Sequence, residues 1–121
     1  LQAPVYPSSN GRGALSDHHY LSLSMLSAPD LMKEADVVLV AGSRFLQGLT
    51  QSWGPKEGQT FIRLDIDEDE INRIKKPDIS LLGDAKSGLG GIVSRLGRHN
   101  ISRPSRKDEM EDIRKRFTAP D

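Results

Sequence analysis

Residues 34–45, Glu-Ala-Asp-Val-Val-Leu-Val-Ala-Gly-Ser-Arg-Phe, set an apolar run of strand length between an acidic lead-in and a glycine-serine-arginine exit. An apolar run without alternation suits a strand buried on both faces, as in a parallel sheet. Open parallel sheets bind ligands just beyond the carboxyl ends of their strands. Gly42, Ser43 and Arg44 occupy that position. A second run, Phe61-Ile62-Arg63-Leu64-Asp65-Ile66-Asp67, also ends on acids, and Glu70 follows it. An acid at a strand tip, one crossover from a Gly-rich turn, is where a Rossmann-type fold holds a ribose hydroxyl. The two runs predict an α/β, Rossmann-like fold: a three-layer parallel sheet with flanking helices.

The rest of the chain supplies the crossovers. Leu1 to Pro7 reads as an extended segment entering a turn at Ser8 to Gly13. Ser27, Pro29 and Asp30 mark a helix start with a capping oxygen, and that helix runs to Glu34. Asp67 and Glu70 form a capping-box pattern for a short helix through Ile74, closed by Pro77. A third strand spans Ile79 to Leu82 and exits at Gly83-Asp84. Asp84 caps the next helix, whose Leu89, Ile92, Val93 and Leu96 form a stripe able to cover the sheet until Gly97 ends it. Gly88, Gly90 and Gly91 weaken that helix by roughly 1 kcal/mol each relative to alanine. After a basic connector, a final helix carries Met110, Ile113 and Phe117, with Glu111–Lys115 and Asp112–Arg116 as favourable pairs.

Composition narrows the partners. The 121 residues carry 17 basic and 17 acidic side chains, a formal net charge of zero that disfavours nucleic acid and anionic membranes. The longest apolar stretch, Val37 to Ala41, is far shorter than the roughly 20 residues of a membrane helix. Cysteine is absent, which excludes disulfides and thiolate metal sites and fits a reducing compartment, so the expected location is cytoplasmic. His18 and His19 are adjacent in one loop and do not converge on one ion, so no metal site is predicted. Asn10-Gly11-Arg12-Gly13 lacks the lysine and glycine order of a phosphate-binding loop. Trp53 reads as a local anchor. No serine or histidine constellation suggests nucleophilic catalysis, so no catalytic residue is assigned.

Taken in order, Asn10-Gly11-Arg12-Gly13-Ala14-Leu15, Asp17-His18, Leu21-Ser22-Leu23, Glu34-Ala35-Asp36-Val37-Val38-Leu39, Gly42-Ser43-Arg44-Phe45, Asp65-Ile66-Asp67-Glu68-Asp69-Glu70-Ile71 and Gly83-Asp84-Ala85 resemble the central domain of thiamine-diphosphate-dependent enzymes of the acetolactate synthase type. The resemblance implies a three-domain parent. A first domain binds the aminopyrimidine and carries an activating glutamate, a last binds the diphosphate through magnesium, and the central domain joins them. Residues 1–97 then correspond to a central domain truncated at its N-terminal end, and 98–121 to a linker and helix leading toward the diphosphate-binding domain. Such a fragment is not catalytic alone; its parent makes or breaks a carbon-carbon bond as an acetolactate synthase or a 2-oxo acid decarboxylase. The implied partners are the neighbouring domains and a second copy of the chain, through sheet left exposed by the truncation.

Some relatives bind FAD, and others ADP, across this sheet. By that resemblance the contact positions are Gly42, Ser43, Arg44, Asp65, Ile66, Glu70, Gly83 and Asp84. Flavin-binding members follow the Arg-Phe pair with two aspartates and an arginine, where this chain has Leu46, Gln47 and Gly48. FAD is therefore expected to be absent, and ADP to bind more weakly than about 100 μM. Plain structural roles compete at each site: Glu70 and Asp84 as helix caps, Gly83 as a turn, Asp65 as an acid held by a nearby amide. A free-standing Rossmann-like nucleotide-binding module with a regulatory or redox role is the alternative reading.

Overall fold

The structure, a computed structural model, describes residues 1–8, 11–43, 56–73, 76–99 and 103–117. Its elements in chain order are α1 (Ala28–Glu34), β1 (Val37–Ala41), β2 (Thr60–Asp65), α2 (Glu68–Asn72), β3 (Ile79–Leu82), α3 (Ala85–His99) and α4 (Lys107–Arg116). The chain forms two compact units, Leu1–Leu31 with Ile101–Asp121, and Met32–Asn100. No helix among the described residues is long and apolar enough to cross a membrane.

The second unit is the α/β body. Its strands lie in the order β1-β2-β3, all parallel, with Val38 opposite Phe61, Val40 opposite Arg63, and Asp65 opposite Leu82. This is the predicted sheet. Side chains alternate along each strand, so Val38, Val40 and Phe61 share one face, where Met32 and Ala35 pack against them. Gln59 fixes the end of α1 above that face: its Nε2 donates to the carbonyls of Met32 and Ala35 at 2.8 and 2.9 Å. The expectation that β1 is buried on both faces is not met. Val37 and Leu39, on the opposite face, are 53% and 44% exposed.

α3 meets the sheet differently from the predicted stripe. Leu89 and Val93 are exposed, and the less exposed line runs through Ala85, Gly88, Ile92 and Leu96. The cause is Gly88: a Cβ there would lie 2.5 and 2.6 Å from the two methyls of buried Leu64. Lacking one, the helix backbone seats directly on β2 and turns Leu89 and Val93 outward. Gly88 is thus a packing residue. Gly97 does not end α3 either. It does not take the positive φ of a helix-ending glycine, and the helix continues to His99.

Local capping was partly foreseen. Asp84 accepts from the Ser87 amide at 2.8 Å and starts α3 as predicted. Asp67 caps α2 through the Asp69 amide at 2.9 Å, but the capping box does not close. The Asp67 amide instead donates to Asp65 Oδ1 at 2.9 Å, and Glu70 turns to Arg73. The Ser27 hydroxyl pairs with Ser24 rather than with α1 amides. Ile74, to which α2 was expected to extend, lies outside the described residues, as do Asn10, Phe45 and Trp53.

In the first unit, Val5 forms a parallel bridge with Ser22. Gln2 Oε1 accepts from Tyr20 Oη at 2.9 Å and from the Arg106 amide at 3.1 Å. α4 buries Met110 and Ile113. One Arg114 nitrogen, Nη2, donates to the carbonyls of Asp17, His19 and Ser22, fastening that loop to the last turn of α4. The Glu111–Lys115 and Asp112–Arg116 pairs are not among the ion pairs of the described residues; Arg106 and Glu109 pair instead, at 2.8 Å.

Candidate functional site

The strand exits are tied to one another. The Gly42 amide donates to the Leu64 carbonyl, and the Gly83 amide to the Asp65 carbonyl, each at 2.9 Å. Gly42-Ser43, Asp65-Ile66 and Gly83-Asp84 therefore lie along one carboxyl edge, where parallel sheets place ligands. Gly42 has φ 62°, a left-handed conformation that favours glycine, and an added Cβ would sit 3.6 Å from the Ala85 Cβ. This bend brings the exit of β1 to the start of α3. Ile66 is the first residue off β2 and is 74% exposed. Glu70 lies in α2, just beyond the β2 exit. Arg44, the cation predicted for this edge, lies outside the described residues.

The acids at this edge have intramolecular duties. Asp65 Oδ1 is held by the Asp67 amide, Asp84 by the Ser87 amide, and Glu70 Oε2 by Arg73 Nε at 2.9 Å. The Ser87 hydrogen bonds hold the Asp84 carboxyl below its usual value. Each of these acids thus already accepts at least one hydrogen bond from within the chain.

The group without enough partners is a cation that the sequence reading passed over. Arg63, in the middle of β2, is completely buried. Its Nη2 donates to the Ser43 carbonyl at 2.8 Å and lies 3.7 Å from Asp65 Oδ2. Nε and Nη1 are buried with no hydrogen-bond partner. Burial lowers the guanidinium pKa, and Arg73 adds to that, while the carboxylates of Asp65 and Glu70 pull it back up. A signal was present in the sequence. Phe61, Arg63 and Asp65 fall on one face at period two, so a core position of a central strand carries a charge.

His18 and His19 lie in the first unit. His19 Nδ1 accepts from the Leu21 amide at 3.1 Å, and its ring stacks on Tyr20. Among the described residues, no group of three or more His, Cys, Asp or Glu is arranged to hold a metal ion.

Known proteins resemble this chain over most of its length. The family described as "Thiamine pyrophosphate enzyme, central domain" matches residues 1–92. The chain is 35% identical over 89 residues to 2-hydroxyacyl-CoA lyase of Arabidopsis thaliana, covering 72% of this chain and 15% of that protein. It is 29% identical over 119 residues to oxalyl-CoA decarboxylase of Escherichia coli, covering 98% of this chain and 21% of that protein. With acetolactate synthase of Mycobacterium bovis it shares 28% identity over 107 residues, covering 81% of this chain and 17% of that protein. The chain thus spans only about a fifth or less of the length of these relatives. A parallel three-stranded sheet whose exits carry Gly42-Ser43, Asp65-Ile66-Asp67 and Gly83-Asp84, together with the match over residues 1–92, shows that the chain belongs to the thiamine pyrophosphate enzyme central-domain family.

Proposed function

We propose that the parent protein uses thiamine diphosphate to form or cleave a carbon-carbon bond next to a carbonyl, in the manner of an acetolactate synthase, a 2-oxo acid decarboxylase or a carboligase. The observation that carries this reading is the central-domain match, supported by relatives named as synthase, decarboxylase, lyase and carboligase. Thiamine diphosphate, when bound, supplies a carbanion-stabilising ylid, and the protein supplies orientation. The described residues do not fit a magnesium-diphosphate site, since they present no cluster of metal-ligating side chains. That chemistry is assigned to neighbouring domains of the parent, which are the partners this reading requires. A free-standing regulatory module gains no support from relatives of which the chain spans 15 to 21%.

In this reading the chain's own contribution is the carboxyl edge of the sheet. The Asp67 amide occupies one acceptor position of Asp65, and the residues after Phe45 differ from those of flavin-binding members; no FAD, and ADP binding weaker than about 100 μM, are expected. Exposed Val37, Leu39, Ile79 and Leu82 supply apolar surface for domain contacts or a second copy. The cysteine-free composition suits a cytoplasmic parent.

The isolated 121-residue chain, supplied with thiamine diphosphate, magnesium and pyruvate or glyoxylate, is expected to release no carbon dioxide above a heat-killed control. Release above that control would overturn the assignment of catalysis to neighbouring domains.

A further inference from the structure

We infer that the outer edge of β1 pairs with β1 of a second copy of this chain, antiparallel across a two-fold axis at Leu39, joining two three-stranded sheets into one. The direction of the backbone groups sets the geometry. The Asp36 carbonyl accepts from the Thr60 amide and the Gly42 amide donates to the Leu64 carbonyl, so even-numbered residues of β1 turn toward β2. By alternation the amides and carbonyls of Val37, Leu39 and Ala41 turn outward. They have no hydrogen-bond partner among the described residues.

β1 is complementary to itself. With Leu39 opposite the partner's Leu39, Val37 falls opposite the partner's Ala41, so every outward residue enters a hydrogen-bonded pair. The same register sets Asp36 against the partner's Gly42 and brings no like charges together. Water satisfies these backbone groups in a single chain, so the ladder fixes register and the side chains supply the drive. Val37 and Leu39, 53% and 44% exposed on one face, pack against Ala41 and Leu39 of the partner copy. Sheet edges are commonly guarded by a charge, a proline or a bulge. Val37–Ala41 has neither charge nor proline, and its register with β2 is unbroken.

The other edge is guarded. β3 is shorter, Ile79–Leu82, with Pro77 and Asp78 at its entry and Asp84 beyond its exit. The symmetric register that uses its outward residues, Ser80 opposite the partner's Leu82, sets Asp78 against the partner's Asp84. Like charges directly opposite one another oppose pairing. The edge that self-pairs is therefore β1.

Sedimentation equilibrium of the 121-residue chain through the micromolar range should show the mass rising to twice that of one chain. Leu39→Lys sets two cations opposite each other at an exposed position and should hold the mass at one chain, with folding checked by circular dichroism. Leu82→Lys, exposed on β3, should leave the doubling intact. In mixed labelled and unlabelled unmodified chains, the register places Val38 Hα against the partner's Val40 Hα, a contact that an isotope-filtered NOE experiment should detect. A mass of one chain throughout, a doubled mass in folded Leu39→Lys, a doubling lost in folded Leu82→Lys, or a dimer without the Val38–Val40 contact would each overturn the proposal. The pairing uses the sheet alone, so a parent that ignores thiamine diphosphate would sink the proposed activity and leave this test unaffected.

Discussion

Replacing Phe61 with alanine is expected to destabilise the α/β unit by about 3–5 kcal/mol. Phe61 is fully buried at the centre of the sheet, packed with Val38, Val40, Met32 and Ala35. It is also pinned at both backbone groups: its amide donates to Asp78 Oδ2 at 2.7 Å and its carbonyl accepts from the Asp78 amide at 2.8 Å. These bonds hold the strand in place, so the surroundings cannot collapse freely into the space the ring leaves, and the cavity contribution adds to the lost transfer energy. Domains of this size have about 5–15 kcal/mol in total, so the variant stands near the edge of folding. Urea titration followed by circular dichroism measures the loss. A change below about 1 kcal/mol would mean that this face is not the core of the unit.

Gly88→Ala and Gly90→Ala should move stability in opposite directions although both sit inside α3. Alanine gains about 1 kcal/mol over glycine at an exposed helix position. At Gly90 nothing lies within 4 Å of the new methyl, so the gain is realised. At Gly88 the methyl would stand 2.5 Å from one Leu64 methyl, 2.6 Å from the other and 3.1 Å from its Cγ. Leu64 is 1% exposed and has no open side to move into. Overpacking of that kind costs about 1–3 kcal/mol, enough to reverse the propensity gain. Thermal denaturation of the pair checks this. A stabilised Gly88→Ala would show that α3 does not seat on Leu64.

How much of this was readable beforehand depended on whether the information was local. The strands were legible because Val37 to Ala41 and Phe61 to Asp65 are apolar runs of strand length, each ending on turn or acid chemistry, and their spacing left room for little except parallel crossovers. The Asp84 cap was legible because side-chain-to-amide caps span three residues. The orientation of α3 was not. A periodicity count ranks Leu89 and Val93 as the buried stripe because they are large, whereas the sheet selected the side with no side chain at 88. The capping box failed for a related reason: Asp65 reached the Asp67 amide first, leaving Glu70 to Arg73. The exposure of Val37 and Leu39 was hidden because an apolar run is compatible with burial on both faces, and only packing shows which face is covered.

The strand exits were legible as one edge, and the buried cation beside them was not. Gly42, Ser43, Asp65, Ile66, Gly83 and Asp84 do meet at one carboxyl edge, as strand topology required. Their acids drew attention as ligand groups, yet each accepts a hydrogen bond from within the chain. Arg63 was read as part of an apolar run, and only the burial of its guanidinium, with donors left over, shows that it is the unusual residue of the edge.

The membership of this chain in the thiamine pyrophosphate enzyme central-domain family makes one measurement decisive for the proposed activity. The polypeptide encoded by the complete open reading frame should be purified, stripped of cofactor and titrated calorimetrically with thiamine diphosphate in the presence of magnesium. Saturable binding, together with a 2-oxo acid or carboligation activity that disappears on stripping and returns on addition, is the predicted result. A protein that binds no thiamine diphosphate, or whose turnover is indifferent to it, would contradict the account.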